Sequence, residues 1–299
     1  MQITPTIMMN TFLQGTNSIS QQMVQLEQEA STGQAYQYPS NNPSAIAGTM
    51  DLNAVGGQIG AYQAAATGAQ GWIDAGSSAL QQVSKLWTNV IQLATEASNS
   101  SLNSSDKQAI ADQLSQASTT LQEILGTPYG GQPLFNFSSS GSGSGTSPSP
   151  SATPLVFQIG PNEQVTVNLT GSESSLWSTP PATGNIFTQM QSDLKTLTSE
   201  VSSGQSPSSW TVSLNQLNTD NSYISNADSL LGGRLQRVNQ QTTYLTNLQT
   251  TVTQGVTNLD GANMAQVASQ LAQAETAYQA ALQTGAQILP LSLLSYLHP

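Results

Sequence analysis

Apolar side chains recur at alternating steps of four and three residues along the last stretch of the chain, residues 264–297. The positions are Val267, Leu271, Ala274, Tyr278, Ala281, Gly285 and Ile288. This spacing places them on one side of an α-helix in a seven-residue repeat. Because a single helix of this kind is only marginally stable in water, the apolar seam predicts a packing partner.

The opening stretch of the chain carries the same alternation and is a candidate for that partner. Its positions are Met9, Phe12, Thr16, Ile19, Met23, Leu26 and Ala30. The helix here is expected from about Thr6 to Thr32, with Gly33 as a left-handed end cap. We predict that the two ends of the chain pair with each other, or with copies of themselves, as a coiled coil.

Two longer seams lie in the middle of the chain and predict intramolecular core. The first keeps the heptad from Ile59 to Ala94, after a helix start at Asn42-Pro43. The second has an apolar residue at every seventh position, and these residues are Leu217, Ile224, Leu231, Val238, Leu245, Val252 and Leu259. Leu214 and Leu235 add to a second seam position along the same helix, and Asn221, Asp228 and Thr242 dilute it.

A shorter helix is predicted after residues 99–104, which break the first of these patterns. Ser105 and Gln108 have the spacing of a capping box, in which each side chain would bond a free backbone amide at the helix start. The helix is expected to end at Leu125.

The composition changes to Gly, Pro and Ser over residues 126–185. Residues 138–151 are expected to form a flexible loop, since they cannot bury enough apolar area to become ordered. Leu155–Ile159 and Gln164–Leu169 are predicted to be two short strands joined by a turn. A helical pattern returns at Ile186.

These patterns predict a mainly α fold. We expect a long antiparallel helical rod with coiled-coil-like terminal helices and a small β-containing insertion. Residues 1–42 and 261–299 would form the paired terminal helices, an axial assembly domain. Residues 43–125 and 186–260 would form the helical rod domain, and residues 126–185 the insertion with its flexible loop.

Charge is scarce and excludes several classes of partner. Charged residues make up 7% of the 299 residues, against roughly 25% in ordinary soluble proteins. The net charge is −11, and no Lys or Arg precedes Lys85. A nucleic-acid backbone or an anionic membrane surface would find almost nothing to bind. There is no cysteine, no apolar run near the roughly 20 residues of a membrane span, and no secretory signal pattern at the start.

Residues suited to catalysis are nearly absent, so we predict a protein without enzyme activity, cofactor or metal. The single histidine, His298, is next to the last residue. Glu27 and Glu29 are two residues apart and would face different sides of a helix. An enzyme within the insertion is disfavoured because Glu163 and Glu173 are its only charged side chains.

Four stretches of the chain resemble, in the same order, segments of the flagellar hook-associated protein 3 family. Residues 31–52 (STGQAYQYPSNNPSAIAGTMDL) resemble the segment that closes its N-terminal helix, and residues 102–114 (LNSSDKQAIADQL) its second helix start. Residues 230–235 (LLGGRL) are similar to its return helix. Residues 274–297 (AETAYQAALQTGAQILPLSLLSYL) are similar to its C-terminal helix.

The resemblance implies a structural subunit of the bacterial flagellum at the junction between hook and filament. Such a subunit would polymerise through its terminal helices into a ring, between the other hook-associated junction protein and flagellin. It would be exported by the flagellar type III apparatus to an extracellular position without a cleaved signal peptide. A cytoplasmic export chaperone would bind its C-terminal helix beforehand.

The contacts between subunits would be carried by the two terminal seams. The residues are Met9, Phe12, Ile19, Met23 and Leu26 at one end, and Val267, Leu271, Tyr278 and Ile288 at the other. Flagellin, the filament subunit itself, shares this layout and is the alternative. The PSNNP turn at residues 39–43 and the ending at residues 292–297 favour the junction protein.

Family members commonly carry charge where this chain has Gln2, Gln34, Asn41 and Asn42. We hypothesise that the amide-rich surface suits assembly in an acidic medium, because carboxylates lose their charge near pH 4. Polymerisation at pH 3 is therefore expected to be at least as efficient as at pH 7, measured by sedimentation. Clearly better assembly at pH 7 would contradict the hypothesis.

Overall fold

The structure is a computed structural model, and it describes residues 5–36, 38, 40–99, 101–135, 154–171, 173–176, 181, 185–204 and 210–297. Its α-helices are α1 (Pro5–Thr32), α2 (Pro43–Ala97), α3 (Ser104–Leu125), α4 (Ile186–Ser202), α5 (Trp210–Asp260) and α6 (Met264–Leu297). The expected mainly α fold is confirmed. The expected flexible loop at 138–151 and the histidine at 298 lie outside the described residues.

The chain forms two compact units. One comprises residues 1–58 and 248–299, and the other comprises residues 59–247. The helices α2 and α5 contribute residues to both units. We call these the terminal unit and the central unit.

The central unit is built on α2 and α5, which run antiparallel within it. The heptad positions of α2 are buried from Ala66 to Ala94, as the sequence predicts. The indole N–H of Trp87 donates to the carbonyl oxygen of Leu217 at 2.9 Å, and Leu231 packs against Gly76. The shorter helices α3 and α4 pack on each other beside this pair.

The second seam position on α5 is confirmed at its apolar residues, since Leu214 and Leu235 are partly buried and pack against the core of the central unit. Asn221 and Asp228 are exposed, whereas the neighbouring Asp220 and Ala227 are buried. The reason is that α4 and the insertion cover that side of α5. Ser213 donates to Glu200 of α4, and the Asn226 amide donates to the Leu176 carbonyl.

The capping box of α3 was predicted two residues away from its true members. Asn103 is the N-cap, and its side-chain oxygen accepts from the backbone N–H of Asp106 at 2.9 Å. The Asp106 carboxylate accepts in return from the backbone N–H of Asn103. Asn and Asp satisfy the free amides as well as the Ser–Gln pair that we expected, so several alignments of the motif were available.

The described part of the insertion packs into the core of the central unit. The strands are β1 (Pro128–Tyr129), β2 (Gln132–Pro133), β3 (Val156–Gln158) and β4 (Gln164–Thr166), and they form the antiparallel pairs β1–β2 and β3–β4. The second pair confirms the expected hairpin with shorter strands. Phe135 bridges to Leu169, and both side chains are buried.

Two arginines of α5 hold the insertion in place. Arg234 bonds the carboxylate of Glu173 at 2.7 Å and the carbonyl oxygen of Asn168 at 3.0 Å. Both side chains of this ion pair are less than one-fifth exposed. Arg237 pairs with Glu163 in a more exposed position, where the arginine side chain is 55% exposed.

Replacing Arg234 by alanine is expected to lower the free energy of unfolding by about 2 kcal/mol, because a shielded carboxylate and a carbonyl lose their donors. The matched variant Arg237→Ala is expected to cost no more than about 1 kcal/mol, as solvent screens that pair. Urea denaturation of both variants measures the difference. Equal losses would contradict the special role of Arg234.

Candidate assembly surface

The terminal unit contains the two seams that the sequence singles out, and they pack against each other. The helices α1 and α6 lie antiparallel, with Leu26, Val267 and Ala274 at the centre of their contact. Met23, Ala30, Ala262 and Leu271 pack around these three. Pairing of the two ends within one chain is the arrangement found, and it is one of the two that we predicted.

The structure brings most of the predicted contact residues together in this seam. Leu26 and Val267 are buried, and the side chains of Met9, Phe12, Ile19, Met23, Leu271 and Tyr278 are half-buried. Ile288 lies in α6, and its side chain is outside the described part of the chain. These residues therefore stabilise the helix pair inside the subunit, and their role between subunits stays a prediction.

A large side chain meets a glycine near the far end of the seam. A Cβ atom placed on Gly285 would lie 2.3 Å from Cζ of Phe12, well inside van der Waals contact. The ring of Phe12 therefore occupies space that only glycine leaves free. This contact fixes how far α1 can slide along α6, because neighbouring positions of α6 carry side chains.

The loops that precede α2 and α6 join at the other end of the pair. Gln34 and Gly261 form an antiparallel bridge. The N–H of Ala35 donates to the carbonyl oxygen of Asp260 at 2.7 Å, and the buried Asp260 carboxylate accepts from Tyr36 at 3.2 Å.

Gly33 completes this junction with a left-handed turn at φ 71°, and its carbonyl oxygen accepts from Ala262 at 2.9 Å. The sequence indicates each glycine as a helix end, but their pairing joins residues more than 220 positions apart. No local signal in the chain could have revealed that contact.

Glycines also allow α2 and α5 to pack closely within the terminal unit. A Cβ on Gly255 would lie 2.9 Å from Leu52, and one on Gly48 would lie 3.0 Å from Leu259. Gly56 lies beside Val252. The glycines at 56–60 are thus part of a continuous helix, as the heptad predicts.

Several large apolar residues of the terminal unit face solvent. They are Ile7, Met8, Leu13, Val24, Met50, Val55, Met264 and Leu282, each 41–66% exposed. Charge is scarce beside them: Glu27, Glu29 and Glu275 are the charged residues of α1 and α6, and Asp51 follows Met50 on α2. The heptad pattern did not predict these outward residues, because most of them lie off the seven-residue repeat of each helix.

The described residues contain neither a metal-binding group nor a helix that could span a membrane. Among them, no three His, Cys, Asp or Glu side chains are grouped so that they could hold a metal ion. The same part of the chain contains no helix with the length and hydropathy of a membrane span.

The comparison with family models identifies both ends of the chain. Residues 3–140 match the bacterial flagellin N-terminal helical region, and residues 214–297 match the bacterial flagellin C-terminal helical region. Together the two matches span more than half of the chain. The chain belongs to the bacterial flagellin family, and it is therefore a structural protein of the flagellum.

Two solved structures share the fold. One, described as a flagellar hook-associated protein from Vibrio parahaemolyticus, has 14% identity and a TM-score of 0.59, covering 74% of this chain and 100% of that one. The other is FlgL from Bacillus cereus, with 14% identity and a TM-score of 0.55, covering 69% of this chain and 99% of that one. A search of curated protein sequences finds no match.

Replacing Gly285 by alanine is expected to weaken the α1–α6 contact by about 1–2 kcal/mol, because the Phe12 ring must leave the seam. The control Gly15→Ala has no atom within 4 Å of its new Cβ, and should stabilise α1 by about 0.5–1 kcal/mol. Amide hydrogen exchange in α1 and α6 measures both effects.

In the double variant Phe12→Ala/Gly285→Ala, the loss of stability should be less than the sum of the losses in the two single variants. Strict additivity would rule out this contact.

Proposed function

We propose that this chain is the structural subunit of the hook–filament junction, and that it assembles through its terminal unit without catalysing a reaction. The observation that carries the proposal is the paired terminal helices α1 and α6, with large apolar side chains still exposed on their outer surface. We infer that these exposed apolar side chains, with little charge among them, are the contact area that another protein covers. Burial there would contribute about 25 cal/mol per Å² of apolar area.

The residues of the interface follow from this arrangement. The inner seam, including Met9, Phe12 and Tyr278, would set the shape of the helix pair. Outward residues such as Leu13, Val24 and Leu282 would contact neighbouring chains directly. The domain division proposed from the sequence, with residues 1–42 and 261–299 as the axial assembly domain, fits this separation of roles.

The partners would be other components of the flagellum. Copies of the same chain would form a ring, with the other hook-associated junction protein on one side and flagellin on the other. Before export by the type III apparatus, a cytoplasmic chaperone would cover the C-terminal helix. The shared fold of FlgL and of the Vibrio protein supports the junction role over other members of the family.

The filament subunit itself is the second candidate, because the matching family regions are those of flagellin. The two candidates differ in copy number. A filament contains thousands of copies of its subunit, whereas a junction requires a single ring.

Deleting the gene separates the two functions. For a junction subunit, electron microscopy should show hooks without filaments, and intact flagellin should be lost to the medium because nothing anchors it. Hooks that carry a complete junction but no filament, with no flagellin in the medium, would identify the chain as flagellin instead.

Complementing the deletion tests the surface. Leu13→Glu places a charge in the exposed apolar region and should fail to restore filaments. The control Gln14→Glu adds the same charge at the next exposed position and should restore them. Both variants should be exported and folded, and full rescue by Leu13→Glu would remove this face from the interface.

A further inference from the structure

The central unit contains a buried carboxylate that no basic side chain of the described residues neutralises. The Asp220 side chain, on α5, is fully buried. Neither of its oxygens makes a hydrogen bond of good geometry with the described residues. A buried ionised carboxylate in that state would cost a great deal of free energy.

The neighbour of Asp220 is a second carboxylate. Asp193 of α4 faces it and accepts two bonds from the Gln189 amide, at 2.8 and 3.0 Å. Gln216 lies beside both carboxyl groups. Two ionised carboxylates have no hydrogen to share, so neither can donate to the other. Once one of them holds a proton, it can donate to its neighbour.

Among the described residues, no cation neutralises the pair. From α5 itself the titratable neighbour is Tyr223, and from α2 the contact at this level is the neutral indole of Trp87 with Leu217. The basic side chains are engaged or placed elsewhere. Lys107 stacks over Trp210, Arg234 and Arg237 bind Glu173 and Glu163, Lys85 lines a surface groove beside Asn221, and Lys195 is exposed.

We propose that Asp193 and Asp220 form a proton-sharing carboxyl pair that makes the contact between α4 and α5 more stable in acid than at neutral pH. The proton is taken from water and lies between the two side chains in the folded state. This device is independent of the proposed junction role. It belongs to the central unit, whereas the residues assigned to assembly belong to the terminal unit.

The direction of the pH dependence follows from the surroundings of the pair. Burial, together with the charge of Asp193, raises the pKa of Asp220 to about 8, and burial raises the pKa of Asp193. In the unfolded chain both pKa values return to the ordinary range near 3.9. The folded state therefore binds the extra proton between about pH 4 and pH 8, and its stability falls as the pH rises through that window.

Urea unfolding of the full-length protein at pH 4 to 8 tests the proposal. The unfolding equilibrium constant should rise by up to tenfold for each pH unit, the limit for one proton. Asp220→Asn, which supplies a permanent hydrogen-bond donor, should flatten this dependence and be the more stable protein at pH 8. The control Asp74→Asn, on an exposed side chain of the same unit, should keep the dependence of the parent.

A direct titration of Asp220 tests the proposal even if the variant does not fold. The ¹³C carboxyl resonance of Asp220 in the unaltered protein should shift near pH 8, and a shift below pH 5 would overturn the proposal. An unchanged slope in Asp220→Asn would do the same. Millimolar Ca²⁺ that removes the pH dependence would also overturn it, because the pair would then be a cation site.

Discussion

The fold depends on apolar seams that must find each other with almost no help from charge. In most helical assemblies, charged residues beside the seam select the partner and the register. Here 7% of the residues are charged, and α1 and α6 together hold three carboxylates and no basic residue within their helical bounds. Shape therefore selects the pairing. Phe12 against Gly285 at one end and the joined loops at Gly33 and Gly261 at the other fix the two helices in a single alignment.

This arrangement divides the apolar residues of the terminal unit into two sets with different tasks. The inner set packs between α1 and α6 within one subunit. The contact residues predicted from the sequence are therefore buried or half-buried in a single chain. The outer set is smaller and more scattered, and it is what a neighbouring molecule would meet. A helix pair that is already complete can present a defined surface without first having to fold on its partner, which lowers the entropy cost of association.

Helix existence and type could be predicted from the sequence because long heptads are unambiguous. The burial of Val83, Trp87 and Val90 on α2 follows directly from their spacing. The prediction was wrong at the capping box of α3, where Ser105 was as suitable a cap as Asn103. On α5, spacing alone could not decide whether position 220 or 221 faced the core, since the answer depends on α4, which covers one side. The aspartate pair was missed for the same reason, because Asp193 and Asp220 approach only when their helices pack.

The two arginines have a further consequence for how the molecule responds to its solvent. The seams are apolar and the aspartate pair is buried, so dissolved salt has little to screen in either. The ion pairs of Arg234 and Arg237 are the places in the described residues where opposite charges join separate segments. High ionic strength would weaken the exposed Arg237–Glu163 pair, whereas the shielded Arg234–Glu173 pair and the apolar helix contacts would change less. The exposed ion pair of the insertion and the apolar helical framework thus respond to different solvent variables.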